Sequence, residues 1–288
     1  MKTIAQNAQC TIDATKTGIR VTFHAGQFAG QFATIRYGKL LAGGSSNAKM
    51  EKNEVPTYGL SMTPHKELGM QLGNACPWAT TCVDSCLGPH SGRGFDPAVK
   101  KARLARRCLW LFARKTFLEL LQSELAQIDR MAGLLGQVWL VRLNVYSDIL
   151  WERFLPLGGY VNLQFYDYTK APLSARPELP HNYDLTYSFD GTVKGRERAL
   201  ECLAGGRRVA VVFHQEGAFC GKAAIKQRIP PTWEGFPVIS GDEDDNRSAD
   251  PSGVVIGLRL KGRTKASRQS AIDSGFSQLY TESTATTV

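Results

Sequence analysis

Three cysteines fall within eleven residues, in the run Cys76-Pro77-Trp78-Ala79-Thr80-Thr81-Cys82-Val83-Asp84-Ser85-Cys86. Thiolates are soft ligands that suit iron–sulfur clusters or zinc, and one compact loop carrying three of them can wrap the corner of a cluster. A closed structural zinc site takes four ligands, and His90 is the nearby candidate for the fourth. A four-iron cluster held by three cysteines keeps one iron open to substrate, water or a distant residue. The spacing predicts an iron–sulfur centre on Cys76, Cys82 and Cys86, of the 4Fe–4S type, with zinc and plain thiols as competing readings.

The chain has seven cysteines, an odd number spread unevenly, which argues for reduced thiols rather than a secreted disulfide framework. Cys108 shares a helix face with Leu104, Leu111, Leu118 and Leu125, and Cys202 sits in another helical stretch, so both read as core. Cys220, in a glycine-containing loop, and Cys10, near the amino terminus, are the remaining thiols that could complete the site.

A ligand loop needs a frame, and the sequence supplies strands alternating with helices. Gly18 to Tyr37 alternates apolar and polar residues and predicts an antiparallel hairpin. A polar loop from Leu41 to Pro56 leads to a short strand at Tyr58–Met62, directly before the cysteines. Asp96-Pro97 opens a long helix over Ala98–Arg130. Strands follow at Val138–Leu143, Val161–Tyr168, Asp184–Ser188, Arg208–His214 and Val254–Leu260, with helices at Ile149–Phe154 and Lys194–Ala204. This alternation predicts an α/β fold with a mostly parallel sheet, partly closed like a (β/α) barrel. The expected layout is an N-terminal β-hairpin and loop extension over 1–56, an α/β iron–sulfur domain over 57–265 and a mobile Ser- and Thr-rich tail over 266–288.

In such sheets chemistry gathers at the carboxyl ends of strands. Asn144, Ser147 and Asp148 end the second strand, Asp167 and Lys170 the third, Ser188 the fourth, and His214 with Gln215 the fifth. Of these, Asp148, Lys170 and His214 are the candidate catalytic residues, and Asn144, Ser147, Asp167 and Ser188 the candidate cofactor-binding ones. Each also has an ordinary role open to it as a loop cap, and Ser147-Asp148 before an apolar run is equally a helix N-cap.

The 288 residues, 43% of them hydrophobic, suffice for one large core. No apolar run is long enough to cross a bilayer and no signal peptide opens the chain, so a cytoplasmic protein is expected. The net charge of +9 favours anionic partners such as phosphates or nucleic acid, or else is simply a solvated surface. Arg103, Arg107 and Arg114 recur along one side of the long helix, where they are candidates for reaching phosphates. The run Asp242-Glu243-Asp244-Asp245, with Arg247 and Asp250, admits a divalent cation or a plain acidic turn. No Walker-type phosphate loop occurs.

Several stretches carry a resemblance. They are Asn47-Ala48-Lys49, the cysteine loop with Gly92-Arg93-Gly94, Val141-Arg142-Leu143-Asn144, Ser147-Asp148-Ile149 and Trp151-Glu152. Phe165 to Lys170, Asn182 to Thr186, Gly241-Asp242-Glu243, Gly257-Leu258 and Lys261-Gly262 continue it. Over Asn47 to Gly262 the chain resembles the bacteriophage "gene product 88" family, a likeness that implies a phage origin and names no reaction. The layout is also similar to that of radical S-adenosylmethionine enzymes, which place three cysteines after the first strand of a partial barrel. That likeness implies a four-iron cluster and S-adenosylmethionine. Here the cysteine gaps are five and three rather than three and two, and Tyr146-Ser147-Asp148 stands where those enzymes carry Gly-Gly-Glu.

Two function classes follow. One is a cluster-dependent enzyme acting on a small molecule or nucleotide. The other is a nucleic-acid-binding or host-interfering phage protein with a structural cluster or zinc. The first needs an open iron facing a pocket; the second needs a continuous basic face.

Overall fold

The computed structural model describes residues 1–43, 55–64, 70, 72–90, 92–216, 228–243, 246–262 and 264–281. The strands are β1 (Lys2–Gln6), β2 (Cys10–Ala14), β3 (Gly18–Phe23), β4 (Phe32–Arg36), β5 (Ala42–Gly43), β6 (Thr57–Gly59) and β7 (Trp139–Arg142). They continue as β8 (Leu163–Thr169), β9 (Tyr183–Ser188), β10 (Val209–His214), β11 (Thr232–Trp233), β12 (Phe236–Ser240), β13 (Val255–Arg259) and β14 (Ser277–Leu279). The helices are α1 (Leu87–His90), α2 (Pro97–Phe112), α3 (Arg114–Leu134), α4 (Val193–Ala204) and α5 (Lys265–Asp273).

The protein is a mixed α/β chain with a mostly parallel central sheet and an N-terminal antiparallel sheet. It divides into two compact units. The first comprises Met1–Pro77, Arg93–Asp167 and Arg176–Asp184; the second comprises Trp78–Gly92, Tyr168–Ala175 and Leu185–Val288.

In the first unit β1-β2-β3-β4 form the antiparallel sheet. Ile19, Val21 and Phe23 are buried while Arg20 and Thr22 between them are half-exposed, the two-residue period of a strand with one covered face. The predicted hairpin is β3–β4, with Ile19 opposite Ile35. It is half of a larger sheet, because β1 buries none of its residues and so leaves no alternation to read. Gly18 permits the closest approach: a Cβ there would stand 2.2 Å from the Ile35 carbonyl oxygen. Strand β6 runs parallel to β7, and β7 parallel to β8. Trp139, Leu140 and Val141 are all buried, as expected of a strand covered on both faces.

Asp96 caps α2 by accepting from the Ala98 amide at 2.8 Å, with Pro97 in the first turn. The single helix predicted over Ala98–Arg130 is two, broken at Ala113, whose φ of −141° and ψ of 51° lie outside the helical region. No proline or glycine marks the break. Its cause is tertiary: Trp110 packs against Phe117 at 5.4 Å, Trp151 at 5.0 Å and Phe154 at 5.2 Å between ring centres. The short helix predicted at Ile149–Phe154 is a single 3-10 turn, Trp151–Arg153.

The second unit orders its strands β11-β12-β13-β10-β9, with β14 also beside β10. All the pairs are parallel except β11–β12. Its core gathers Tyr187, Phe189, Cys202, Leu203, Val211, Phe213, Trp233 and Val255. Residues after Ala266, expected as a mobile tail, instead hold the rest of α5 and strand β14. Thr264, just before that stretch, caps α5 by accepting from the Ser267 amide at 3.1 Å, and residues 282–288 of the expected tail lie outside the described residues.

Candidate functional site

The cysteine segment is fastened at its start and at its middle. In the first unit, the amide of Asp148, beyond the carboxyl end of β7, donates to the Ala75 carbonyl at 2.8 Å. The next residue, Cys76, has its own amide held by the Asn74 side chain at 2.7 Å, and its Sγ lies 3.5 Å from the Tyr146 carbonyl oxygen. Arg107 reaches this region from α2. It is buried and donates to the Leu72 carbonyl at 3.1 Å. Burial pushes its pKa down to about 10, while the Cys76 and Cys108 thiols favour its charge.

In the second unit the segment continues through two consecutive turns, Val83 N–H to the Thr80 carbonyl and Cys86 N–H to the Val83 carbonyl, each 3.3 Å. Thr80 Oγ1 donates to Asp190 Oδ2 at 3.0 Å, and Thr81 Oγ1 donates to the Asp190 carbonyl. Asp190 lies just past the carboxyl end of β9.

Cys76, Cys82 and Cys86 are half-buried, whereas Cys10, Cys108 and Cys202 are buried; none is in a disulfide. The burial of Cys108 and Cys202 fits their places among apolar helix residues. Among the described residues no three side chains of His, Cys, Asp or Glu are assembled as a metal site. Cys220 and the side chain of His90 lie outside the described residues. The fit of a soft metal thus rests on the chemistry of the donors and the tethering of the segment, not on a preformed ligand cage.

The strand-end residues fall into two groups. In the first unit Asn144 is a hub. Its Oδ1 accepts from Ser147 Oγ at 2.8 Å, the Ile149 amide at 2.9 Å and Trp151 Nε1 at 3.0 Å, and its Nδ2 donates to the Ile149 carbonyl at 2.9 Å. Its own amide donates to Asp167 Oδ1 at 2.8 Å. Tyr183 Oη donates to Asp167 Oδ2 at 2.8 Å, and Arg142 Nε stands 3.8 Å from Oδ1. Burial pushes the Asp167 carboxyl up to about 7, although Arg142, the Asn144 amide and Tyr183 all favour its charge. Burial first, and Asp167 second, push Tyr183 well above the usual phenol range. Arg176 grips Glu152 with Nε at 2.8 Å and Nη2 at 2.9 Å. Asp148 is buried and favours the Arg176 charge.

In the second unit Lys170 Nζ donates to Ser188 Oγ at 2.7 Å and lies 5.4 Å from the centre of the Phe276 ring. His214 Nδ1 and Ser277 Oγ are 2.9 Å apart and buried, and burial lowers the His214 pKa. The structure therefore places Lys170, Ser188 and His214 on one unit with Cys82 and Cys86, and Asn144, Ser147, Asp148 and Asp167 on the other with Cys76.

Arg103, Arg107 and Arg114 differ in exposure: Arg107 is buried, Arg103 half-buried and Arg114 exposed. Arg103 stacks on Tyr146 at 4.3 Å, Arg114 on Trp110 at 4.3 Å, and Arg107 is interior. In the acidic run, Asp242 accepts from the Arg259 amide and side chain and from Lys261, and Asp250 pairs with Arg247 at 2.9 Å. Asp244 and Asp245 lie outside the described residues.

Sequence reading missed Asp190, Thr80 and the Glu152–Arg176 pair. The Asp190-Gly191-Thr192 triplet before α4 is a legible turn-and-cap signature, but nothing in the sequence shows that the cysteine segment would dock on it.

These features define a mixed α/β protein with a tethered, thiol-bearing segment at the carboxyl ends of parallel strands. The chain belongs to the Gene product 88 family of bacteriophage proteins, whose family model matches residues 39–277. No curated protein and no solved structure matches it. The layout likeness to radical S-adenosylmethionine enzymes finds no counterpart in these comparisons. The stretches that carry the family likeness supply Arg142, Asn144, Ser147, Asp148, Glu152, Asp167 and Tyr183, residues of the buried polar network around Asn144 and Arg176.

Proposed function

We propose that this phage-family protein binds an iron–sulfur cluster through Cys76, Cys82 and Cys86. One observation carries the reading: the three half-exposed thiols lie on one segment tied to residues beyond β7 at Ala75 and beyond β9 at Thr80 and Thr81. Soft thiolates so presented suit iron–sulfur or zinc chemistry, and a four-iron cluster would keep one iron without a ligand from this segment. On the second unit Lys170 and Ser188, half-buried at strand ends, are the groups that would meet a small-molecule or nucleotide substrate. Closure of the parallel strands into a partial barrel belongs to the same proposal, as does a cluster-dependent reaction.

The test is anaerobic purification from iron-replete cells, followed by absorption spectra and iron and sulfide assays. The expected protein is brown, and Cys76→Ala, Cys82→Ala or Cys86→Ala bleaches it. A colourless protein carrying one zinc per chain overturns the proposal.

A further inference from the structure

We propose that Asp190 is the positioning residue of the cysteine segment, a latch that holds Thr80–Cys86 against the end of β9 and limits access to Cys82 and Cys86. Its purpose rests on the reading of these thiols as ligands; its geometry does not.

One residue serves two elements. Asp190 Oδ1 accepts from the Thr192 amide at 3.0 Å and from Thr192 Oγ1 at 2.8 Å, shaping the entry to α4. Its other carboxylate oxygen accepts from Thr80 Oγ1, and its carbonyl accepts from Thr81 Oγ1. The ladder of β9 has already ended, so these hydroxyls take acceptors that the sheet leaves over.

The space around the carboxylate is built to receive it. A Cβ on Gly195 would stand 1.8 Å from Asp190 Oδ1, so the first turn of α4 carries no side chain where the carboxylate lies. Gly191, at φ +85°, follows directly, and a Cβ there would come within 2.6 Å of the Gly275 and Phe276 backbone. The turn is thus packed closely against that backbone. Lys170, bonded to Ser188, adds a cation whose charge favours the ionised carboxylate.

Beyond Thr81 the two turns described above and Ser85 Oγ to the Cys82 carbonyl at 3.5 Å order the segment locally. The Thr80 and Thr81 hydroxyls tie it to Asp190, beyond β9.

The experiment is site-resolved alkylation by iodoacetamide, read by mass spectrometry, on the full chain expressed with iron withheld. Thr80→Val keeps the side-chain shape and removes the hydroxyl; Asp190→Ala removes the acceptor; Thr80→Ser restores the bond. Losing one hydrogen bond to a charged acceptor shifts a local opening equilibrium by about tenfold. Cys82 and Cys86 are expected to react about tenfold faster in Thr80→Val and Asp190→Ala, with Thr80→Ser at the wild-type rate and Cys10, Cys108 and Cys202 still protected. Unchanged rates at Cys82 and Cys86 overturn the latch. So does acceleration at every cysteine together, which would report general unfolding, or a Thr80→Ser variant that behaves like Thr80→Val. A colourless iron-replete protein would remove the cluster and leave these rates as they are.

Discussion

The Tyr183 hydroxyl donates to Asp167 Oδ2 at 2.8 Å where the aspartate side chain has 0% exposure. A carboxyl in that setting resists ionisation. Its pKa rises from an ordinary value of 3.8 to about 7, so the folded state holds the proton more tightly than the unfolded chain. The favourable contribution is fullest below 3.8, declines as pH rises, and is gone once pH passes about 7. Asp167→Asn removes this dependence. Thermal melts should therefore show the variant gaining on wild type from pH 4.5 to about pH 7 and levelling off above it. A constant difference in Tm would mean that Asp167 does not titrate there.

Glu152 and Arg176 are a buried ion pair, with side-chain exposures of 7% and 2%. Removing one partner leaves an uncompensated charge, which costs about 3–5 kcal/mol. Replacing both with apolar residues of similar size is close to neutral. Urea midpoints should fall sharply for Glu152→Met and recover in the Glu152→Met, Arg176→Met double variant. Additive losses would show that packing, not charge, dominates.

Alanine for glycine inside a helix ordinarily stabilises by about 1 kcal/mol. At Gly195 the sign should reverse, because the new Cβ would meet the Asp190 carboxylate at 1.8 Å. Gly195→Ala is expected to lower the melting temperature and to speed alkylation of Cys82 and Cys86. A more stable Gly195→Ala variant would show that the carboxylate moves aside at little cost.

Cys108 and Cys202 pack in the interior, each fully or nearly fully buried. Their alanine variants should lose roughly 1 kcal/mol of stability and keep the metal content of wild type. Loss of iron from Cys108→Ala would move a ligand into the core.

The arginines of α2 are held by the protein itself. Arg107→Met should lower stability, since it strips the Leu72 carbonyl of its donor. The salt dependence of binding to DNA or RNA should be unchanged when Arg103 and Arg107 are both replaced, because lost phosphate contacts would each flatten the slope by about one unit. A flatter slope would return these residues to the surface role that their spacing first implied.

What the sequence shows well is whatever repeats locally. Asp96-Pro97 marks the start of α2, and the apolar run Val138–Leu143 contains β7. The cysteine segment and the strand-end polar residues are legible for the same reason, since type and spacing are local properties. The break at Ala113 is not, because it answers to Trp110, Phe117 and Trp151 meeting in space. Nor is the role of Asn144, which in sequence is one more polar residue after a strand. Only the fold shows its side chain joined to Ser147, Ile149 and Trp151. Glu124 is similar: a glutamate on a helix, yet its carboxylate takes the amides of Leu40 and Leu41 at 2.8 and 3.2 Å.

Strand β10 divides one of its edges between two partners. Val209 and Ala210 pair with β9, while Val212, Phe213 and His214 pair with β14, and β13 lines the other edge from Val209 to Phe213. His214 and Ser277, which meet across that junction, are 63 residues apart in the chain. Closing so long a loop before its contacts form is entropically slow. Refolding of the second unit should accordingly lag behind the local helix formation of α2 and α3. The strand at the centre of that unit reaches its final hydrogen-bonded state only when the chain on both sides of it has come home.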